Sequence, residues 1–288
     1  MTKSAFGMRG DGRISGSMNN NRGVALLIVL LVTALLTALI VEFAFGTRVS
    51  LRAAVNFRDS QRAYFLARSG VNAVGMYLSK KLENKEPQVD LEMREPWPLA
   101  ALIPGNDMTL DIRWYDEGGK ISITSMNKGN DAYNRLSKLF EILGINQNAL
   151  DLIIPTPTDS RKFYLLTELH QFLSDEEFEK IKDMVTVAQV EKIDINTASS
   201  EVLQSLGLSP ALAGTIKERR SRELFVKTGD INEFPGMNTN MTVVGMLDVT
   251  SNVFKVRSVA TVGGYTKTVE AVIKRTASSF DVQYWSAL

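Results

Sequence analysis

The chain has 288 residues, a formal net charge of +1, no cysteine and a single histidine, His170. The missing cysteines exclude disulfides, zinc–thiolate sites and thiol nucleophiles, and one histidine cannot form a metal site that needs two. A net charge near zero gives no overall field that would gather nucleic acid. The length is sufficient for an anchored segment and one or two compact domains.

The first predicted element is a membrane-spanning helix at residues 24–41. The segment carries no charge, and its only polar side chains are those of Thr33 and Thr37. As a helix it is about 27 Å long, close to the ~30 Å thickness of the hydrocarbon layer. A cleaved secretory signal is the alternative, but such a signal has a shorter apolar core and small residues after it. Bulky Phe43 and Phe45 follow here, so the sequence favours a retained span.

The same helix is predicted to continue to residue 82 as a soluble stalk. No proline interrupts residues 47–82, and apolar residues recur at a loose helical spacing. They are Leu51, Val55, Phe65, Val71, Val74 and Leu78. Basic residues flank the span in nearly equal numbers on both sides, so charge alone leaves the orientation open.

The leader that ends in Arg22-Gly23, followed at once by this apolar helix, resembles the class III signal of type IV pilins and pseudopilins. In that family a prepilin peptidase cuts after the glycine, on the cytoplasmic side of the inner membrane, and methylates the new N-terminus. The resemblance therefore implies processing between Gly23 and Val24. It also implies a single-pass protein with a cytoplasmic N-terminus and a periplasmic C-terminal domain.

Position 28 departs from the usual pattern of that family. The family commonly places a glutamate five residues after the cut, and this sequence has Ile28. The glutamate is thought to pair with the N-terminal amine of the subunit ahead, and a buried carboxylate without a partner is costly in lipid. A subunit at the tip has no subunit ahead, so an apolar residue suits it. One isoleucine in an apolar run is also compatible with no special role.

Two β-hairpins are predicted after a proline-rich connector at residues 83–107. The first has alternating apolar residues at 108–115, a turn at Asp116-Glu117-Gly118-Gly119, and a return through Ile121 and Ile123. The second runs from 253 to 262, turns at Gly263-Gly264 and returns over 265–273. Since an isolated hairpin is marginal in water, the two are expected to form one antiparallel sheet. The predicted fold is α+β, with the pilin-like helix packed on this sheet.

Between the hairpins the sequence predicts an all-α insertion at residues 131–245. Leu136, Leu139, Phe140 and Leu143 have helical spacing before Gly144, and Ser174 to Glu177 form a capping box. Helices are also predicted after Asn196-Thr197 and from Pro210. The insertion and the strings DINTASSEVLQSLGLSPALAGTIKERR and GDINEFPGM resemble the general secretion pathway protein K family, the minor pseudopilin K of type II secretion.

The predicted domains follow from these elements. They are a leader at 1–23, the transmembrane and stalk helix at 24–82, a connector and first hairpin at 83–130, the insertion at 131–245, a second hairpin at 246–275 and a tail at 276–288.

The insertion also resembles the helix-hairpin-helix of DNA-binding proteins. Such hairpins use two glycines to bring backbone amides to a phosphate, but Gly207-Leu208-Ser209 and Gly236-Met237-Asn238 each keep only the first. Over residues 193–240 five cations face six anions, a net charge of 5 − 6 = −1, whereas phosphate binding needs an excess of cations. No nucleic-acid partner is predicted; a membrane-tethered DNA receptor is kept as the alternative of a different class.

No catalytic residue or cofactor is predicted. His170 is interpreted as a helix residue, Asp175 to Glu177 as the start of a helix, and Asp116 and Glu117 as turn residues. Members of the K family can bind calcium in the insertion. The corresponding loop, residues 151–159, has only Asp151 and Asp159 as carboxylates, and a calcium site needs six to eight oxygens. Calcium binding stays open.

The resemblance implies a minor pseudopilin that caps or initiates the tip of a periplasmic pseudopilus. Its partners would be the other minor pseudopilins, the major pseudopilin, the prepilin peptidase and the inner membrane. The assembly residues would be Ile28, Leu51 and Val55, on the helix that packs with partner helices. A tip pilin of a type IV pilus shares the same leader and stalk and is the nearest alternative.

Overall fold

A computed structural model describes residues 21–83, 107–124, 126, 128–154, 163, 165–276 and 278–288. Two compact units divide the chain, Met1–Val55 and Asn56–Leu288. The leader before Asn21 and most of the predicted proline-rich connector lie outside the described residues.

The described part of the chain contains eight α-helices, one 3₁₀ helix and eight strands. The helices are α1 (Asn21–Glu83), α2 (Asp131–Leu143), α3 (Gln147–Ile153), α4 (Asp175–Ile181), α5 (Ser200–Ser205), α6 (Pro210–Arg222), α7 (Thr228–Glu233) and α8 (Met241–Met246), with the 3₁₀ helix at Leu166–Gln171. The strands are β1 (Met108–Asp116), β2 (Ile121–Ser122), β3 (Val185–Thr186), β4 (Ile193–Asp194), β5 (Leu247–Asp248), β6 (Val253–Val262), β7 (Tyr265–Arg275) and β8 (Phe280–Ala287).

The predicted long helix is confirmed as α1. In the first unit all its residues from 23 to 54 are exposed, and the helix is long and apolar enough to cross a membrane. Thr33 does not interrupt the apolar surface, because its hydroxyl donates to Val29 O and Leu30 O, each at 2.9 Å. Thr37 donates in the same way to Thr33 O at 2.7 Å.

The second unit contains a four-stranded antiparallel sheet in the order β1-β6-β7-β8. One face of the sheet packs on α1. The helix buries Ala63, Ala67, Val71, Val74 and Leu78, spaced by three or four residues, as a helix that faces a core requires. The strands supply every second residue, for example Leu110, Ile112 and Trp114 of β1. The predicted α+β, pilin-like arrangement of helix on antiparallel sheet is therefore confirmed.

The predicted second hairpin is confirmed, and the predicted first hairpin is wrong. Strands β6 and β7 pair across a turn in which Gly263 and Gly264 have φ of 56° and 84°, the left-handed region that two-residue turns require. After β1 the chain does not return. Ile121 instead pairs in parallel with Val185 of β3, inside the insertion, and β1 pairs with β6.

The residues predicted as a tail contain the edge strand β8. Its register with β7 runs from Arg275↔Phe280 to Val269↔Ala287, with an irregularity between Val272 and Ile273. Phe280 and Trp285 are half-buried against the core between α1 and the sheet. Strand β8 therefore belongs to the pilin-like unit.

The insertion is mainly helical around its own core. Three of its predicted helix boundaries are confirmed, whereas the helix predicted after Asn196-Thr197 begins only at Ser200, with Ser199 as its cap. Gly144 ends α2 with φ of 66°, the Ser174 capping box starts α4, and Ser209 caps α6 one residue before Pro210. Two parallel pairs of two-residue strands, β2–β3 and β4–β5, depart from the prediction of an all-α insertion. In each pair, a strand just outside residues 131–245 (β2 or β5) pairs with a strand inside the insertion (β3 or β4).

Candidate assembly surface and insertion junction

The predicted processing residues lie in the first turns of α1. The helix begins at Asn21, so Gly23 and Val24 are inside it, and Val24 is 57% exposed. The first backbone amides of a helix have no intrahelical carbonyl partner. Cleavage at this position stays a prediction.

The predicted assembly residues are accessible on α1 in the first unit. Ile28 is 56% exposed, Leu51 is 64% exposed, and Val55 is half-buried. Leu51 and Val55 are four residues apart and lie on one face of the helix. Because apolar side chains cover α1 from residue 24 to 41 and recur at Phe43 and Phe45, this surface needs lipid or apolar protein around it.

In the second unit α1 has a different exposed apolar surface. Phe57 is 68% exposed, Phe65 is 56% exposed and Met76 is 68% exposed. The helical spacing in the sequence groups Phe65 with Val71, but the structure buries Val71 under the sheet and leaves Phe65 exposed. Large exposed aromatic side chains on one helix are typical of a protein–protein contact.

The predicted turn at residues 116–119 is buried where the sheet meets the insertion. Asp116 is 6% exposed and Glu117 is 5% exposed. One Asp116 carboxylate oxygen accepts a hydrogen bond from Gly118 N at 2.7 Å, and the other accepts one from Thr197 Oγ1 at 2.6 Å. Glu117 pairs with Lys120 at 2.7 Å. Asp116 and Glu117 shape the turn, as predicted, and Asp116 also contacts the insertion through Thr197.

A third buried carboxylate, that of Asp194 in β4, lies beside this turn. Asp194 is 3% exposed and is in register with Asp248 of β5. Burial, the charge of Asp116 and the charge of Asp248 raise the pKa of Asp194 to about 8, although Arg220 acts in the opposite direction. Burial also raises the pKa of Asp116, against hydrogen bonds from Ser251, Thr197 and Gly118. Nothing in the local sequence revealed this cluster.

Asn196, the asparagine of the quoted motif DINTA, fastens three segments of the insertion. Its Nδ2 donates to Phe225 O and to Val249 O, both at 2.9 Å, and its Oδ1 accepts from Phe225 N at 2.9 Å. The side chain is 8% exposed. All of these partners are backbone groups, so the motif has a structural explanation. The sequence alone indicates only that Asn196 precedes a helix.

The two hairpins that resemble a nucleic-acid motif are accounted for by helix geometry. Gly207 and Gly236 have φ of 111° and 89°, which explains the glycine at each first position. Ser209 occupies the place of a second glycine, and its Oγ accepts from Leu212 N at 3.2 Å to cap α6. The turn is therefore built to start a helix.

His170 and the acidic residues after it have partners within the insertion. The His170 ring lies 3.9 Å from the Phe178 ring, and its Nδ1 is 3.2 Å from Asp175. Among the described residues no group of three or more His, Cys, Asp or Glu side chains could hold a metal ion. Most of the loop that was considered for calcium, residues 155–159, lies outside the described part, and Asp151 pairs with Lys128 at 3.2 Å.

Among the solved structures that match this chain is one chain of a secretion complex. The structure is described as the GspK–GspI–GspJ complex from the type 2 secretion system of enterotoxigenic Escherichia coli. The match covers 82% of this chain and 99% of that chain, with a TM-score of 0.62 and 16% sequence identity. The two chains therefore share a fold, that of a pseudopilin-like protein.

Neither of the other comparisons gives a match. No protein-family profile fits the sequence, and no curated protein matches it.

Proposed function

We propose that this protein is a minor pseudopilin of a type II secretion system, the K subunit. The observation that supports the proposal is the distribution of exposed and buried apolar residues along α1. Its first part is an exposed, membrane-length apolar helix, and its later residues are buried under an antiparallel sheet. A helix with both properties suits a subunit that leaves the membrane to join a bundle of similar helices.

The proposed place of this subunit is the tip of the pseudopilus. Ile28 supports this position, because a carboxylate here would need the amine of a subunit ahead. The insertion lies between β1 and β6 in the chain. Its volume at this end of the sheet would block the addition of another subunit. The work of the subunit is then to start and cap the pseudopilus with other minor pseudopilins, without catalysis.

The proposed partners follow from the two exposed surfaces of α1. In the first unit, Leu51 and Val55 would pack on the helices of the major pseudopilin and the other minor pseudopilins, together with Ile28. In the second unit, Phe57 and Phe65 would extend such contacts outside the membrane. The solved chain that shares this fold belongs to a complex described as GspK–GspI–GspJ. This description supports partners of this kind.

The experiment that tests the proposal is N-terminal analysis of the membrane protein made with and without a prepilin peptidase. We expect a methylated Val24 at the N-terminus with the peptidase and an intact leader without it. A Gly23→Val variant, blocked at the cut, should stay unprocessed. An N-terminus elsewhere, or processing that does not require the peptidase, would contradict the proposal.

A further inference from the structure

The sheet and the insertion meet at one tightly packed junction. Gly118 O accepts a hydrogen bond from Asp194 N at 3.0 Å, and Thr197 Oγ1 reaches back to Asp116. The packing leaves no room for a side chain at Gly119, where a Cβ atom would lie 2.7 Å from Ala198 N. The end of β1 and the segment after β4 are therefore held against each other by direct contacts.

The charges at this junction do not balance. Asp116 faces Asp194 from the end of β1, Asp248 faces it from β5, and Arg220 faces it from α6, while Glu117 faces Asp116. Glu117 is neutralised by Lys120. Asp194 therefore faces two other aspartates and a single guanidinium.

That guanidinium is itself occupied by backbone groups. Arg220 Nη1 donates to Ile195 O at 2.8 Å and to Ala198 O at 2.6 Å. Neighbouring buried carboxylates cannot all be ionised when so little positive charge compensates them.

The hydrogen bonds indicate which carboxyl holds the proton. Both oxygens of Asp116 accept hydrogen bonds, from Gly118 N and Thr197 Oγ1, which favours its ionised form. Asp194 accepts from Asn196 N at 2.8 Å through Oδ1 alone. We propose that Asp116 and Asp194 form a proton-dependent latch between sheet and insertion, closed while Asp194 holds a proton and loosened when that proton leaves.

The direction of the pH effect follows from the two states of Asp194. Its pKa is about 8 in the folded chain and near the ordinary 3.8 in the unfolded chain, so the folded chain binds the proton more tightly. The stability from this proton is fully present below about pH 4, declines as the pH rises, and is lost above the folded pKa of about 8. The latch is closed in mildly acidic surroundings and opens in alkaline ones.

The latch is tested by urea unfolding of the full-length protein in detergent micelles between pH 5 and pH 9. We expect the unfolding midpoint of the wild type to fall as the pH rises. Asp194→Asn imitates the neutral carboxyl, so it should flatten this dependence and exceed the wild type at pH 9. Asp281→Asn, on an exposed aspartate of β8, should keep the wild-type slope. An equal slope in wild type and Asp194→Asn would overturn the proposal.

Hydrogen exchange on the wild type provides a second readout that does not require a stable variant. Between pH 6 and pH 9 the protection factor of the Asp194 amide should fall by about ten-fold or more, since each unit of linked pKa shift is worth ten-fold. Amides in the β6–β7 ladder, which lie outside the latch, should lose no more protection than the fall in global unfolding free energy measured with urea accounts for. A constant protection factor at Asp194 would also overturn the proposal.

Discussion

Gly70 of α1 lies directly against Ser258 of β6, with no space for a side chain between them. A Cβ atom at Gly70 would overlap Ser258 Oγ and would lie 3.0 Å from Ile112 Cδ1. Ser258 is fully buried, and among the described residues its hydroxyl has no hydrogen-bond partner. At this point only the Ser258 hydroxyl separates the backbone of α1 from the backbone of β6, so the helix lies unusually close to the sheet.

Gly70→Ala should destabilise the protein, although alanine is the better helix former. We expect a loss of about 1–3 kcal/mol from overpacking, measured by urea unfolding. Ser258→Ala should be close to neutral, because the hydroxyl it removes has no partner, and it should recover part of the loss in the double variant. Gly214→Ala in α6 is the matched control: its Cβ meets nothing within 4 Å, so it should gain about 0.5–1 kcal/mol. Equal effects at the two glycines would refute the close approach.

Asn196→Asp should destabilise the insertion strongly while keeping the shape of the side chain. The change removes the donors to Phe225 O and Val249 O and puts another carboxylate next to Asp194. Each buried carbonyl left without a donor costs about 1–3 kcal/mol, so the loss of unfolding free energy should exceed about 2 kcal/mol. Asn238→Asp, at an exposed position, should change it by less than about 0.5 kcal/mol. Thermal unfolding at pH 7 distinguishes the two.

Ile28→Glu should impair secretion more than it impairs insertion into the membrane. A carboxylate without a partner costs on the order of 2 kcal/mol in the apolar region, which lowers a coupled assembly step by about ten-fold or more. Export of a reporter substrate measures the function, and carbonate extraction measures insertion. Ile28→Gln, which has the same length as glutamate without the charge, should be milder. Normal export by Ile28→Glu would argue against a position at the tip.

Leu51→Arg should weaken the association of this protein with other pseudopilins. The side chain is 64% exposed on α1, so the change has little effect on folding, but a guanidinium placed between apolar helices loses its water. We expect cross-linking to partner pseudopilins to fall by about ten-fold, a change of about 1.4 kcal/mol. Leu152→Arg is the control, since Leu152 is similarly exposed on α3 of the insertion. Cross-linking that survives Leu51→Arg would show that this face of α1 is not the contact.

Local patterns predicted the elements whose causes are local. The long helix follows from an uninterrupted apolar run, and the helix ends at Gly144 and Ser174 follow from capping residues that act within a few positions. The β6–β7 hairpin follows from alternation on both sides of Gly263-Gly264. In each case the interacting residues are neighbours in the chain.

Elements whose partners are distant in the chain could not be predicted from local sequence patterns. Ile121 and Ile123 alternate in the same way whether they return along β1 or join β3, and only the insertion's core decides between the two. Strand β8 needs the core of α1 and β7 to bury Phe280 and Trp285. Asp194 stands in an ordinary charged stretch, and its neighbour Asp116 is far away in the chain.

The chain leaves the sheet and comes back to it at nearly the same point. Asp116 at the end of β1 is the register partner of Phe254 in β6, and Glu117 N donates to Val253 O at 3.0 Å. Residues 117–252 therefore connect two neighbouring points of the sheet, as a loop does. The entropic cost of closing a loop rises only slowly with its length. Because β1 and β6 already pair where residues 117–252 enter and leave, we expect that a short turn joining the two strands could replace those residues while the sheet keeps its own pairing.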